Sequence, residues 1–298
     1  MNKRNGLTIS MIVKAESANY GEGYRNLTVL KKMSRGDFKE YSYISRQALR
    51  YNMIEQLGWN NTPVEAQGSK NAQVVQFAPD ATIVEYPEID LFGYMKTTSK
   101  NEEEKDSKGG ASTRSAVVRL SNAISLEPYK GDTDYLTNMG LANRKDLNNA
   151  IAQSEIQHAY YGYTITIDLD RVGIDGNLEI SDEEKAKRVC DFLEVIEFLY
   201  RDIKGRRENL SPIFAIGGLY ERKNPYFEHR LTVKENNVSL ETILELLEEE
   251  DVKEHTHVGL LDGIFDNSEE MKEELSVTSI HEMFKNIKSE VKEYYENN

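Results

Sequence analysis

The sequence predicts an α+β fold of the ferredoxin-like kind, in which two helices pack on one face of an antiparallel sheet. Three observations predict it. Residues 7–16 and 160–169 alternate apolar and polar side chains with the period of two that a strand requires. Amphipathic helical patterns follow them, near 45–57 and 181–203. The element order is strand, helix, insertion, strand, helix, strand, strand.

Each element has a local cause. In the first strand Leu7, Ile9, Met11, Val13 and Ala15 share one face, and Thr8, Ser10, Ile12, Lys14 and Glu16 share the other, as in a half-buried strand. A polar loop is expected over 17–43, with Gly21, Gly23 and Gly36 and the basic Arg25, Lys31, Lys32 and Arg35. Ser45 opens a helix in which Leu49, Met53 and Leu57 recur at spacing four, and Gly58 closes it. Residues 59–80 have no clean period, Pro87 interrupts the apolar segments of 82–96, and 97–113 reads as a polar, mobile loop. A weak helical segment is expected near 144–157. Ser181, with Glu184 three residues on, forms a capping box before a stripe from Val189 to Ile203 that Gly205 ends. Residues 213–219 and 227–233 read as strands, and two acidic helices are expected at about 239–250 and 270–295.

The chain has 298 residues and a net charge of −14. Evenly spread, that charge would argue against a nucleic-acid ligand. It is not evenly spread: residues 1–50 net +6 and residues 235–298 net −13. With a screening length of roughly 8 Å, the two regions act semi-independently. Cys190 is the only cysteine, which excludes an intramolecular disulfide and a Cys-based zinc site. No apolar run approaches the ~20 residues of a membrane span. The N-terminus lacks the apolar core of a signal peptide. A soluble, cytoplasmic chain is expected.

The segment YISRQALR (43–50) places Ser45 at a helix N-cap, Arg46 and Gln47 in the first turn and Arg50 one turn on. Free backbone N–H groups there suit a phosphate, although the same residues also describe a capped helix with solvated arginines. Gly217 and Gly218, followed by Arg222 and Lys223, either let a ligand approach the backbone or simply end a strand. Tyr20, Tyr24, Tyr41, Tyr43 and Tyr51 lie among basic residues, a mixture that suits single-stranded nucleic acid. Asp168, Asp170, Gly173 and Glu179 have the spacing of a calcium loop, but Val172 takes a ligand position, so a strand-to-helix turn is expected. His255 and His257 lack evident partners for a metal and read as a solvated loop. There is no nucleophile elbow, P-loop or HExxH motif.

Taken in order, MIVKAESANYGEG, LKK, YSYISRQALRY, EIDLFGYM (88–95), RSAVVRLSNAIS (114–125), YYGYTITIDL (160–169) and GGLYERKNP (217–225) resemble one family. It is the CRISPR Cascade backbone subunit of the DevR type, found in type I-B systems. The resemblance implies a hand-shaped protein. An RRM-like palm comes from 1–57 and 158–234, fingers from 58–120 with the disordered 97–113 loop, and a thumb from 121–157. The acidic helical region 235–298 has no matching motif. The resemblance implies a non-catalytic crRNA-binding subunit that polymerises along the guide spacer in antiviral defence. Its partners would be crRNA, target DNA through the guide, further copies of itself and other Cascade subunits, with no membrane, cofactor or metal. Residue by residue, it implies guide contacts at Ser45, Arg46, Gln47 and Arg50, at Asn19 and Tyr20, and at Lys14. It also implies a glycine loop at Gly217 and Gly218 with Lys223, and a thumb tip at Asn138 and Met139. The alternative is a metal-dependent RNase using Asp37, as in type III complexes. A transcriptional regulator, the third reading, has no helix-turn-helix pattern to support it.

Overall fold

An antiparallel sheet of eight strands forms the centre of the computed structural model, which describes residues 3–24, 26–67, 73–97 and 110–297. Its strands are β1 (Gly6–Ala15), β2 (Lys32–Ser34), β3 (Glu40–Ile44), β4 (Val118–Leu120), β5 (Ala123–Ser125), β6 (Ala159–Asp168), β7 (Phe214–Tyr220) and β8 (Thr256–Leu260). They run β8-β7-β1-β6-β5-β3-β2, and β4 pairs with β6 beside β5. In the middle, Leu7 of β1 stands between Ile167 of β6 and Leu219 of β7.

Three helices, α1 (Arg46–Leu57), α2 (Asp182–Glu197) and α3 (Ile280–Glu296), contribute to the core on one face of this sheet. Leu49, Met53, Phe192, Ile196, Phe284 and Ile287 join Leu7, Ile9 and Met11 there. Each such fully buried side chain stabilises the fold by roughly 1.5–3 kcal/mol. The caps read from the sequence are formed: Ser45 Oγ accepts from Ala48 N, Ser181 Oγ from Glu184 N, and Gly58 ends α1 at φ +67°.

The other face of β1 is not solvated as its alternation predicts. Thr8 and Ser10 are fully buried. Ser10 Oγ meets Thr164 Oγ1 at 2.7 Å, and Thr8 Oγ1 donates to Asn224 O at 3.0 Å. A second core, with Ile12, Phe214, Ile216, Phe227, Ile243, Val258 and Met271, covers this face. Most of its cover comes from the acidic C-terminal region, which packs into the fold and adds a strand to its helices. Residues 256–260 supply the edge strand β8, in which His257 pairs with Glu290 of α3 at 2.7 Å. The expected helices are shorter and split, as Glu241–Leu246, Glu250–Glu254, Ser268–Glu274 and α3. Acids stand on the outside while Met283, Phe284 and Val291 are buried, so removal of residues after about 235 would open both cores.

Other expectations change too. The 17–43 loop contains Tyr20–Tyr24, Leu27–Leu30, β2 and β3; Arg25 lies outside the described residues. Tyr20–Tyr24 and Leu27–Leu30 join Asp132–Thr137 and Ile151–Ile156 in a second sheet, which replaces the helix expected near 144–157. Within 59–80, Val64–Gln67 pairs antiparallel with Val74–Phe77, and 68–72 lie outside the described residues. The edges of the polar 97–113 segment pair as Tyr94–Thr97 with Ala111–Arg114, and 98–109 lie outside the described residues. The segment 227–233 turns instead of running as a strand; only Val233–Lys234 pairs, with Asn237–Val238. Helix α2 stops at Glu197, and the hairpin Tyr200–Ile203 with Arg206–Asn209 turns at Gly205, φ +77°. Leu199 and Ile203 keep a helical spacing, but the hairpin pairs Arg201 with Glu208 in the interior.

Two buried ionic clusters fix the periphery. Asp90, fully buried, accepts from Arg114 at 2.6 Å, from Arg188 of α2 at 2.9 Å and from Gly173 N at 2.9 Å. In the second cluster Glu208 accepts from Arg201 Nε at 2.7 Å, Arg206 at 2.7 Å, Glu16 N at 2.8 Å and Ser17 N at 3.2 Å. Arg201 also donates to Ser17 O and Ala18 O. This clamps the chain leaving β1. Burial alone would raise the Glu208 pKa, but Arg201 and the two backbone amides outweigh it and hold the carboxyl below its ordinary 4.5. A depressed carboxyl adds stability that is complete above about pH 4.5 and is lost as pH falls through the lower folded value. The thermal midpoint of Glu208→Gln should therefore lie below wild type at pH 7, and the gap should narrow as pH falls below about 4.5. A gap independent of pH would contradict the clamp.

Candidate nucleic-acid interface

The N-terminus of α1 is built by residues from three distant segments. Ser45, in extended geometry, caps the helix and donates through Oγ to Asn19 Oδ1 at 2.8 Å. Its own N–H donates to the same oxygen at 3.1 Å. Asn122, between β4 and β5, accepts from Arg46 N at 2.9 Å. Most first-turn N–H groups are thus engaged within the protein, leaving the Gln47 amide outside these contacts. The helix end is less open to a phosphate than the sequence implied. Its value lies in rigidity: the two asparagines hold α1 so that its outward side chains have fixed origins.

Two of those side chains, Arg46 and Arg50, are cationic. Adjoining hollows run along the surface past Lys31, Tyr43, Ser45, Arg46, Gln47 and Asn122, and past Arg50, Phe92 and Arg119. A third, sharing Asn122, continues past Arg35, Gly162 and Thr164 to His229. Arg46 and Gln47 are exposed, and among the described residues the Arg46 guanidinium has no hydrogen-bond or ion-pair partner. Arg50 is half-buried, stacks on Phe92 at 4.7 Å and pairs with Glu88 at 3.3 Å. Arg119 pairs with Asp168 at 3.0 Å, as does Arg171 at 3.2 Å. Burial pushes the Asp168 carboxyl up, but Arg119, Lys223 and Arg171 together leave it lowered. Lys223 holds Asp170 at 2.5 Å, and Lys185 holds Glu179 at 2.7 Å. The acids of the calcium-like spacing are thus neutralised by side chains.

Of the residues named from sequence, Ser45, Arg46, Gln47, Arg50 and Asn19 converge, and Lys223 joins the Asp168 cluster. Lys14 stands over Tyr160 at 5.3 Å, outside the groove. Tyr20 belongs to the second sheet, where its hydroxyl donates to Glu155 O and Lys204 covers its ring. Gly217 and Gly218 form no loop. They are buried in mid-strand of β7, because β1 and β8 press on them from both sides. A Cβ on Gly217 would stand 2.0 Å from Thr8 O, and one on Gly218 1.8 Å from His255 O. Asn138 closes the exposed tip of the Asp132–Thr137 hairpin, exchanging hydrogen bonds with Asn149 and Ala150. Met139 is exposed beside it. Asn122, Arg119 and the role of Lys31 were not singled out from the sequence; only their place in quoted segments could have marked them.

Among the described residues, no group of three or more His, Cys, Asp or Glu side chains could hold a metal ion. Asp37 is exposed, and both its oxygens are engaged, by Lys39 N at 3.1 Å and Tyr41 OH at 3.0 Å. No helix among these residues is long and apolar enough to cross a membrane.

The fold is that of chains in RNA-guided CRISPR assemblies. One chain of a "CRISPR RNA-guided surveillance complex, pre-nicking" is similar with a TM-score of 0.57 and 12% identity, over 95% of this chain and 100% of that one. A chain of a "CRISPR RNA-guided surveillance complex" is similar with a TM-score of 0.55 and 15% identity, over 94% and 99%. No curated protein sequence matches. The family described as "CRISPR-associated negative auto-regulator DevR/Csa2" matches residues 7–236, and the chain belongs to that family.

Proposed function

We propose that the chain is a non-catalytic crRNA-binding backbone subunit of a type I-B Cascade complex, acting in the cytoplasm in antiviral defence. Copies line the guide spacer with other Cascade subunits and leave it free to pair with target DNA. The observation that carries this reading is the groove in which Arg46, without a side-chain partner among the described residues, stands beside Lys31, Arg50 and Arg119. Cations on rigid elements with no base-reading constellation suit a ligand whose sequence is read by pairing. Family membership and surveillance-complex neighbours support the assignment.

In this reading the palm is a ferredoxin-like, RRM-type unit. The strand order β7-β1-β6-β5, with α1 and α2 on one face, supports it. Since β4 and β5 belong to the central sheet, the fingers span 58–117 and the thumb 126–157. Arg46, Gln47, Arg50, Lys31, Arg35 and Arg119 meet the guide backbone, while Asn19 and Ser45 position them. Lys223 extends the track, and Asn138 with Met139 form the thumb tip. Gly217, Gly218, Lys14 and Tyr20 are not among the contacts.

Five phosphate contacts, one at each of Lys31, Arg35, Arg46, Arg50 and Arg119, predict a slope of about −3.5 for log affinity against log salt with single-stranded RNA; a slope near zero would contradict the reading. The RNase alternative predicts magnesium-dependent cuts in complementary RNA that Asp37→Ala abolishes. On the present reading, the wild-type assembly makes no such cuts.

A further inference from the structure

Among the described residues Phe38 is 98% exposed, whereas every other exposed large apolar side chain lies between 38% and 69%. It occupies the turn between β2 and β3 at φ +60°, a left-handed conformation that bulky L-residues rarely adopt. The turn is over-determined by its own contacts. Phe38 N donates to Arg35 O at 3.0 Å, and Arg35 N donates to Lys39 O at 3.1 Å. Asp37 ties Lys39 N and Tyr41 OH, and the Arg35 guanidinium lies 4.1 Å over the Tyr41 ring. A strained backbone held by five contacts thus keeps an aromatic ring in water.

Water is a poor final environment for such a ring, so the question is what covers it. An apolar protein partner would need an apolar patch around the ring. The neighbours Arg35, Gly36, Asp37, Lys39 and Glu40 are exposed and offer none. Arg35 instead lines the hollow that continues the cationic groove. An aromatic face beside cations matches a nucleotide, with phosphate on the cations and base on the ring.

We propose that Phe38 is a stacking platform for one unpaired nucleobase at the edge of the groove. This rests on the nucleic-acid reading above and adds to it a position where a base is held by protein. Asp37 then acts as a brace for the platform.

The test uses 2-aminopurine, whose fluorescence changes on stacking. In one arm the label is walked along a single-stranded RNA bound to the full-length chain. In the other it is walked along complementary DNA added to chain holding unlabelled RNA. A position-dependent change in either arm identifies which strand supplies the base. Phe38→Ala and Phe38→Asn should abolish that change and weaken binding about tenfold, while Phe38→Tyr keeps both. Phe38→Asn suits the positive φ, so its loss cannot be assigned to a misfolded turn. Persistence of the change in both variants, or a loss of assembly size with the change intact, overturns the platform. A wild-type chain that binds neither strand contradicts the nucleic-acid reading itself, and the platform with it.

Discussion

Charge reversal at Lys31 and Arg46 together should reduce RNA retention on the order of 100-fold at physiological salt, with the fold unchanged. Arg46 is exposed and spends its guanidinium on nothing within the described chain. Lys31 shares the same hollow. Reversal removes two cations and places two anions where phosphates would lie, so both attraction and steric placement turn against the ligand. Substitutions of this kind away from buried networks cost within about 0.5 kcal/mol of stability. The thermal midpoint should therefore move by no more than about 1–2 °C. Retained RNA in the folded double variant would remove these residues from the interface.

Asp90→Ala should destabilise the chain by about 3–5 kcal/mol. The carboxylate lies between Arg114, which ends the strand Ala111–Arg114, and Arg188 on α2, with Gly173 N on the same oxygens. Removing it leaves two buried guanidinium groups facing one another. Arg188 also donates to Ile83 O and Val84 O, so the segment before the short helix Pro87–Phe92 would lose its anchor as well. Asp90→Asn keeps the shape and one acceptor and should cost less. Equilibrium urea unfolding of both variants checks the ranking; a wild-type midpoint for Asp90→Ala would refute it.

What was legible in the sequence was what is locally encoded. β1 and β6 announce themselves through ten-residue alternation, and α1 and α2 through Ser45, Gly58 and the Ser181–Glu184 capping box. Strands of three to five residues, such as β2, β4 and β5, carry too few positions for a period and exist because β6 and β3 are there to pair with. The acidic C-terminal region misled because its charge lies outside while Val258, Phe284 and Ile287 are buried. Family resemblance located EIDLFGYM but not the task of Asp90, whose partners lie 24 and 98 residues away.

The interface divides in the same way. The segment 43–50 was legible because helix capping is local chemistry. Asn122 reaches Arg46 across 76 residues, and no spacing rule connects them. At Gly217 and Gly218 the strand expected over 213–219 holds and the glycine loop implied by the resemblance does not: paired glycines signal both open loops and crowded strands, and only the closeness of Thr8 and His255 decides which.

The most direct measurement is the RNA that accompanies the chain when it is expressed with a CRISPR array and purified through moderate salt. The expected result is an absorbance spectrum dominated by nucleic acid, with guide-derived RNA of discrete length surviving nuclease treatment. Reversal at Lys31 and Arg46 should remove both. Wild-type chain with the spectrum of protein alone, or RNA of random length and origin, would contradict it.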